Sequence, residues 1–188
     1  DLFSLRKPPY LSTMGGSSTK HITSGTCTCG AVAIETLTNP ATVFTCHCSV
    51  CRAFYKAPSA AGNAFWTPAV IVTKGQDKLA ITNTYQMGGL AGLERTRCSV
   101  CQCPVMAKGI RCYTGLCFIP VLVLPNTPYI HVFFGSGVGG DTGNMRRIDS
   151  DMGSMVYTTL VFLTIGMLQL PTILVKRMLR LFGRSKAE

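Results

Sequence analysis

The chain is built around one stretch, Cys46-His47-Cys48-Ser49-Val50-Cys51, which places three thiols within six residues. A regular helix or a regular strand over the whole stretch would not bring all three sulfurs to one point. The stretch therefore predicts a tight turn with converging sulfurs. A bound metal ion is the usual reason for a turn of this kind.

Two cysteine pairs flank this middle cluster. Cys27 and Cys29 precede it and Cys98 and Cys101 follow it, so seven of the ten cysteines fall into groups of two, three and two. Zinc takes four tetrahedral ligands in a structural site, and three protein ligands plus an open position in a reactive site. The outer pairs supply a complete set of four, and the middle cluster keeps one position open. The counts predict one structural and one open zinc.

Other uses of these cysteines remain open. Ten cysteines in a short chain could form a disulfide framework. Disulfide domains scatter their cysteines, however, whereas closely spaced pairs are typical of metal sites in reducing compartments. Cys112 and Cys117 have apolar neighbours in the sequence and belong to no motif, which favours their being buried free thiols. Cys103 could replace Cys101 as a ligand, because only Gln102 separates them.

Four segments follow the order found in a known family. They are 25–32 (Gly-Thr-Cys-Thr-Cys-Gly-Ala-Val), 46–52 (Cys-His-Cys-Ser-Val-Cys-Arg), 73–85 (Thr-Lys-Gly-Gln-Asp-Lys-Leu-Ala-Ile-Thr-Asn-Thr-Tyr) and 97–101 (Arg-Cys-Ser-Val-Cys). With them the chain resembles the glutathione-dependent formaldehyde-activating enzyme and centromere protein V family over roughly residues 24–135. The resemblance implies a β-tent fold with two zinc sites.

The resemblance also implies ligands and an activity. The structural zinc would be held by Cys27, Cys29, Cys98 and Cys101. The second, glutathione-associated zinc would be held by Cys46, Cys48 and Cys51. The implied reaction is of carbon–sulfur lyase type: a glutathione thiolate held at the open zinc adds to formaldehyde or a related electrophile, giving S-hydroxymethylglutathione or a related adduct. Arg52 and Lys56 would hold a glutathione carboxylate.

The chain departs from the family pattern at two places. After Arg52 it carries residues 53–58 (Ala-Phe-Tyr-Lys-Ala-Pro), where the family commonly has a small Gly-containing segment. After Cys101 it carries Gln102, where the family commonly has Gly. The first departure lies where glutathione would approach, so it bears on substrate binding more than on the metals.

The histidines do not form a cluster along the sequence. His47 lies between two predicted ligands and is expected to be structural or solvent-facing. His21 and His131 are isolated, and lone histidines are more often incidental than catalytic. The sequence therefore identifies no separate general base.

The pattern between residues 25 and 135 predicts a mainly β domain of short antiparallel strands. Short apolar runs bounded by Pro or Gly are typical of strands. They occur at 31–37, 42–45, 69–73, 119–125 and 129–134. Gly30, which follows the first cysteine pair, is expected to adopt a positive φ that turns backbone N–H groups toward the thiolates.

Two segments without apolar periodicity border this domain. Residues 1–24 contain Pro-Pro, Gly-Gly and a run of Ser and Thr, which predicts an extended arm. Residues 136–151 are rich in Gly and predict a flexible linker. A phosphate-binding loop is the alternative for this linker, but the Lys followed by Ser or Thr that such a loop requires is missing.

The C-terminal part predicts a membrane helix. Residues 152–175 are twenty-four consecutive residues without a formal charge, and about 20 apolar residues span the hydrocarbon core of a bilayer. Gln169 is expected to face protein. Residues 176–188 predict a basic amphipathic tail at the lipid headgroups, which places the tail on the cytoplasm-like side. A buried or interfacial helix is the alternative.

The distribution of charge argues against nucleic acid as a partner. The net charge of +10 is of the kind seen in nucleic-acid-binding domains. The basic residues, however, crowd into the tail or lie near the cysteine clusters in sequence, where cations offset the charge of zinc thiolates. The predicted partners are the lipid bilayer and membrane proteins that contact residues 152–175 and the arm.

Two functions from different classes fit these features. One is a non-catalytic accessory subunit of an organellar membrane complex, with the mitochondrial inner membrane favoured. In that case the zinc domain is a rigid block, and the arm and the helix are docking elements. The other is the glutathione-dependent enzyme described above. A soluble detoxifying enzyme needs neither the arm nor the helix, which favours the subunit.

Overall fold

The computed structural model describes residues 22–87, 91–111, 114–132, 146–147 and 151–184. In these residues the chain is mainly β, as predicted. The strands are β1 (Ser24–Thr26), β2 (Ala33–Thr36), β3 (Thr42–Cys46), β4 (Ala60–Trp66), β5 (Val70–Lys74), β6 (Leu79–Met87), β7 (Ala91–Cys98), β8 (Pro104–Arg111), β9 (Leu116–Pro120), β10 (Ile130–Val132) and β11 (Arg146–Arg147). The helices are α1 (Ser49–Tyr55) and α2 (Asp151–Arg184). Most of the predicted arm and linker lies outside the described residues.

The described strands form two sheets. Strands β1, β2 and β5 make a three-stranded sheet, and the others make an eight-stranded sheet in the order β11-β10-β3-β4-β9-β8-β7-β6. The pairings are antiparallel as expected, except that β10 runs parallel to both β3 and β11. This sheet holds both β3, which ends at Cys46, and β7, which ends at Cys98.

The main core ties the cysteine clusters to the sheets. Fully buried side chains include Ile34 of the small sheet and Phe65, Met106 and Ile119 of the large one. Cys27 and Cys98 belong to the same packed cluster. Two of the four cysteines predicted to hold the structural zinc therefore have their sulfurs in the hydrophobic core, where close packing makes substitutions costly.

One predicted strand ends earlier than expected. The apolar run at 119–125 continues β9 only to Pro120, after which the chain turns. The backbone N–H groups of Val123 and Leu124 both donate to the Pro120 carbonyl, at 2.9 and 3.0 Å. The side chains of Val123 and Leu124 are nevertheless buried. The run was apolar because it fills the core, which a turn can do as well as a strand.

The predicted C-terminal helix is present and extends through most of the basic tail, as α2. It lies against the β domain: Ile173 is fully buried against Leu37 and Ala69. The Thr38 hydroxyl donates to Gln169 Oε1 at 3.1 Å, and Gln169 Nε2 donates to the Asn39 carbonyl at 3.2 Å. Gln169 faces protein, as predicted. That protein is the chain's own domain, so Gln169 gives no support for a separate partner.

The basic tail differs from the prediction for the same reason. Lys176 Nζ donates to the Leu37 carbonyl at 2.5 Å, and Arg177 Nε donates to the Pro68 carbonyl at 2.8 Å. Arg180 pairs with Glu35 of β2. These cations were expected at lipid headgroups. They bind the β domain instead, because one face of α2 lies against the carbonyls of Leu37 and Pro68 and the carboxylate of Glu35.

The helix is bent where a span was predicted. Among the described residues, no single helix is long and apolar enough to cross a membrane. One bent pair, Thr159–Ile165 with Met167–Leu181 at 52°, would do so by length and composition. Pro171 explains the position of the bend, because a proline ring clashes with the carbonyl four residues earlier, here that of Met167.

Candidate metal centres

The first centre gathers the outer cysteine pairs. Cys27 follows β1, and a turn closed by the Gly30 N–H to the Cys27 carbonyl at 2.9 Å returns Cys29 toward it. Cys98 ends β7, and Cys101 lies in the turn that follows. The sulfurs of Cys27 and Cys29 are 3.5 Å apart, and those of Cys29 and Cys98 are 3.9 Å apart. All four sulfurs lie within 4.8 Å of one another.

These distances fit a tetrahedral zinc. Zn–S bonds of about 2.3 Å place the sulfurs of a tetrahedral site about 3.8 Å apart. Gly30 has a φ of +69°, as expected, and the Val32 N–H donates to Cys27 Sγ at 3.3 Å. Cys27 and Cys98 are buried, whereas Cys29 is exposed. The inner side of the centre is therefore held in the core through Cys27 and Cys98, and its outer side is exposed to solvent at Cys29.

The remaining described cysteines stand apart from the clusters. Cys103 was the alternative to Cys101 as a ligand, but the four-sulfur group contains Cys101 and not Cys103. The buried Cys103 thiol donates instead to the Pro104 carbonyl at 3.4 Å. Cys117 is fully buried, and burial raises its pKa to about 12. All nine described cysteines are free thiols, so the disulfide framework is absent from this part of the chain. Cys112 lies outside the described residues.

The second centre forms where β3 meets α1. Cys46 is the last residue of β3, and Cys48 caps α1 by accepting from the Cys51 N–H at 3.4 Å. The sulfurs of Cys46 and Cys48 are 3.4 Å apart, and all three lie within 4.8 Å of one another. The strand-to-helix junction is the tight turn that the sequence predicted. No fourth Cys, His, Asp or Glu of the described residues joins this group.

The second centre favours negative charge. Hydrogen bonds with Cys46 and then Cys51 lower the pKa of Cys48 to about 2, and Arg95 also lowers it. The hydrogen bonds with Cys48 and Cys51 raise the pKa of Cys46 well above its usual range. The buried Arg95 guanidinium lies 3.9 Å from Cys51 Sγ. Three sulfurs thus share a negative charge beside a fixed cation, a donor set that suits zinc.

Arg97 connects the two centres. Its guanidinium donates to the Phe54 carbonyl of α1 and to the Gln102 carbonyl beside Cys101, both at 2.6 Å. It also stacks over the Phe54 ring, 4.3 Å from the centroid, and Arg95 lies 5.2 Å from the same centroid. Arg95 and Arg97 share one face of β7, because alternate residues of a strand point the same way.

Two histidines form a buried pair next to the second centre. His47 Nε2 lies 2.7 Å from His131 Nδ1, and the His47 N–H donates to the Val132 carbonyl at 3.1 Å. Burial lowers the pKa of both rings. His131 was expected to be isolated, but the parallel pairing of β10 with β3 brings it to His47. His47 is structural, as one of the two expectations had it, and it is not solvent-facing.

An open groove of about 610 Å³ lies on the other face of α1. Its lining residues are Ser49, Val50, Ala53, Phe54, Lys56, Thr82 and Arg97. Helical spacing puts Cys48, Cys51 and Arg52 on the opposite face. Of the two residues predicted to bind glutathione, Lys56 lines the groove and Arg52 does not. Their roles stay predictions.

Comparison with known proteins identifies the β domain. The model of the glutathione-dependent formaldehyde-activating enzyme family matches residues 22–135. The chain belongs to this family. The match includes both cysteine centres and ends before α2. A crystal structure of a Rhodobacter sphaeroides protein is similar at 23% identity and a TM-score of 0.43, covering 66% of this chain and 99% of that one. No curated protein matches significantly.

The structure explains one departure from the family pattern. Gln102, which stands where the family commonly has Gly, has a φ of +59°. Its N–H donates to the Cys98 carbonyl at 2.9 Å, and the Cys98 N–H donates to the Cys103 carbonyl at 3.0 Å. This left-handed turn folds Cys101 back toward Cys98. Glycine adopts it without strain, whereas a residue with a Cβ does not.

We expect Gln102→Gly to stabilise the zinc-loaded protein by about 0.5–1 kcal/mol, because the left-handed strain of about 1–2 kcal/mol outweighs the entropy that Gly loses on folding. Gly30→Ala is the matched opposite change, since Gly30 also has a positive φ. It should destabilise the protein by a similar amount. Urea unfolding of both variants measures the difference. Equal destabilisation by the two would contradict this account of position 102.

We expect Arg97→Met to lower the free energy of unfolding by about 1–3 kcal/mol, because two charged hydrogen bonds to carbonyls are lost. Arg97→Lys should lower the free energy of unfolding by a smaller amount than Arg97→Met, since an ammonium group cannot donate to both carbonyls in the geometry of a guanidinium. Both should also weaken zinc binding at the second centre, whose helix Arg97 holds. Lys108→Met, on the neighbouring strand β8, removes a cation as a control. Equal zinc affinity in all three variants would show that Arg97 does not position α1.

Proposed function

We propose that the β domain binds two zinc ions with different roles. The structural ion would be held by Cys27, Cys29, Cys98 and Cys101, whose four sulfurs lie within 4.8 Å of one another. The second would be held by Cys46, Cys48 and Cys51, with its fourth position taken by the thiol of glutathione. The absence of a fourth ligand from this group, among the described residues, is the observation that carries the proposal.

The chemistry we propose is the addition of glutathione to a small carbonyl compound. Bound zinc would stabilise the glutathione thiolate at neutral pH. The sulfur would form a bond to the carbonyl carbon of formaldehyde or a related electrophile while the π bond of the C=O group breaks, and the oxygen that receives this electron pair would take a proton from solvent. Arg95 offsets the negative charge of the sulfurs. Lys56 and Arg52 would hold the glutathione carboxylates from the two faces of α1.

The test is adduct formation by the purified full chain. With glutathione and formaldehyde, S-hydroxymethylglutathione should appear faster than the uncatalysed background, as followed by NMR. Arg95→Met should slow the reaction while the first centre keeps its zinc. A rate equal to background in protein that carries about two zinc ions per chain would rule out the enzyme and leave a metal-stabilised domain.

As the alternative to the enzyme, we propose that the chain is attached to a membrane through α2 and works there as a non-catalytic accessory subunit of an organellar complex. The mitochondrial inner membrane is the favoured location. The supporting observation is the row of exposed apolar side chains along α2. The native protein should then migrate in a large complex after mild detergent extraction. Migration as a monomer under those conditions would contradict the subunit role.

A further inference from the structure

We propose that α2 lies in the plane of the membrane surface, between the β domain and the lipid, and does not cross the bilayer. The inference rests on the membrane attachment proposed above and specifies its geometry. It follows from three features of α2: a polar face bound to the domain, an apolar face exposed along its length, and a bend that shortens the charge-free segment.

The domain-facing side of α2 is fixed by a regular series of contacts. Gln169, Ile173, Lys176, Arg177 and Arg180 recur at a spacing that places them on one helical face. All five contact the β domain, four through hydrogen bonds or an ion pair and Ile173 through burial. From Gln169 to Arg180 the docked stretch is about 17 Å long. Every basic side chain in it binds the domain.

The opposite side of the same stretch is apolar and open. Its exposed residues are Met167, Leu168, Leu170, Leu174, Val175, Met178, Leu179 and Leu181. They extend over about 22 Å of helix. Leu168 is 75% exposed and Leu181 is 72% exposed. A continuous apolar surface of this length is unusual for a monomer in water and marks an interaction site.

The contacts with the domain exclude a crossing of the bilayer by this stretch. If Met167–Leu181 entered the hydrocarbon core, Glu35 and the carbonyls of Leu37 and Pro68 would enter with it or lose their partners. Buried charges and unsatisfied carbonyls are costly in lipid. The part of α2 before the bend, from Asp151 to Ile165, is about 22 Å long, which is shorter than a hydrocarbon core of about 30 Å. The in-plane orientation keeps every contact.

Lipid fits the exposed face better than a protein partner does. The exposed apolar residues of Met167–Leu181 are Leu, Met and Val, with no aromatic residue among those that the structure describes. Protein interfaces are enriched in aromatic residues and Arg at their centres. The net charge of +10 also complements an anionic membrane surface. Helices of this kind lie at the headgroup boundary with their apolar side inward.

The experiment uses the full chain and sealed vesicles of phosphatidylcholine, with and without phosphatidylserine. Leu168→Glu with Leu174→Glu should weaken sedimentation with the vesicles about 100-fold or more, since two buried leucines are lost. Ile81→Glu with Leu122→Glu is the matched control. These residues are 62% and 64% exposed and lie on the β domain, and the charge change is the same. The control should bind like the unaltered chain, and both variants should keep their zinc.

Topology separates the outcomes. With a tag at each end of the chain, protease added outside should remove both, and alkaline carbonate should release the protein. A protected C-terminal tag with resistance to carbonate would overturn the in-plane orientation but leave membrane attachment standing. Failure to bind either kind of vesicle would contradict both. A dimer in light scattering that the α2 variant dissolves would identify a second copy as the occupant. None of these outcomes depends on the zinc chemistry.

Discussion

Replacing Cys98 by serine is expected to unfold the β domain. The Cys98 side chain is fully buried in the main core, and its sulfur lies 3.9 Å from that of Cys29 in the four-sulfur centre. A structural zinc contributes about 10 kcal/mol or more of folding free energy, which exceeds the stability of most domains of this size. Serine binds zinc poorly, so that contribution is lost. Circular dichroism and urea unfolding should show a chain without a cooperative transition.

Cys103→Ser is the matched control for this prediction. Cys103 is buried in the same core cluster and lies in the same turn, but it is not one of the four grouped sulfurs. The change from thiol to hydroxyl is identical and should cost only about 1–3 kcal/mol. A chelator added to the unaltered chain should reproduce the effect of Cys98→Ser. If Cys98→Ser melts like the unaltered chain, the four-thiol zinc assignment is wrong.

The grouping of the cysteines could be predicted because their spacing is local. Cys46, Cys48 and Cys51 converge at a strand-to-helix junction that spans six residues. The outer pairs are also local turns, and their joining across the sheet followed from the ligand count that zinc requires. The family match over 22–135 agrees with the resemblance seen in the four segments. The local spacing of the cysteines and the number of ligands that zinc takes were sufficient to predict these two groups.

The environment of the site could not be predicted because it depends on pairing between distant segments. His131 meets His47 only because β10 runs parallel to β3. Arg97 reaches the Phe54 carbonyl across the gap between β7 and α1. Neither contact leaves a pattern in the residues around it. Charge near the clusters indicated that cations would offset the thiolates, but not that one arginine would join both centres.

The C-terminal helix shows a different limit. A charge-free segment of twenty-four residues predicts an apolar helix, and α2 is one. The pattern does not reveal what covers each face, because Gln169 finds Thr38 from 131 residues away. The basic residues after the segment suggested lipid headgroups, yet three of them bind the domain. Hydropathy measures the tendency of a side chain to leave water. It does not predict whether that side chain will contact lipid or the protein's own domain.

Replacing Cys46 by serine is expected to spare the fold and abolish the activity. Cys46 is buried at the end of β3, where the exchange of thiol for hydroxyl should cost about 1–3 kcal/mol. Two sulfurs would remain at the second centre, too few for a stable zinc site. Zinc content should fall from about two to about one ion per chain, because the first centre keeps all four ligands. Adduct formation from glutathione and formaldehyde should fall to background.

Cys117→Ser provides the control, because Cys117 is equally inaccessible but belongs to neither centre. It should keep about two zinc ions and the full rate, which separates the loss of a ligand from the burial of a hydroxyl. If Cys46→Ser unfolds like Cys98→Ser, the second zinc is structural too, and the open position has no catalytic meaning. If Cys46→Ser keeps both zinc ions and the rate, the chemistry takes place elsewhere. A folded, inactive variant with one zinc is the result that the three-sulfur geometry requires.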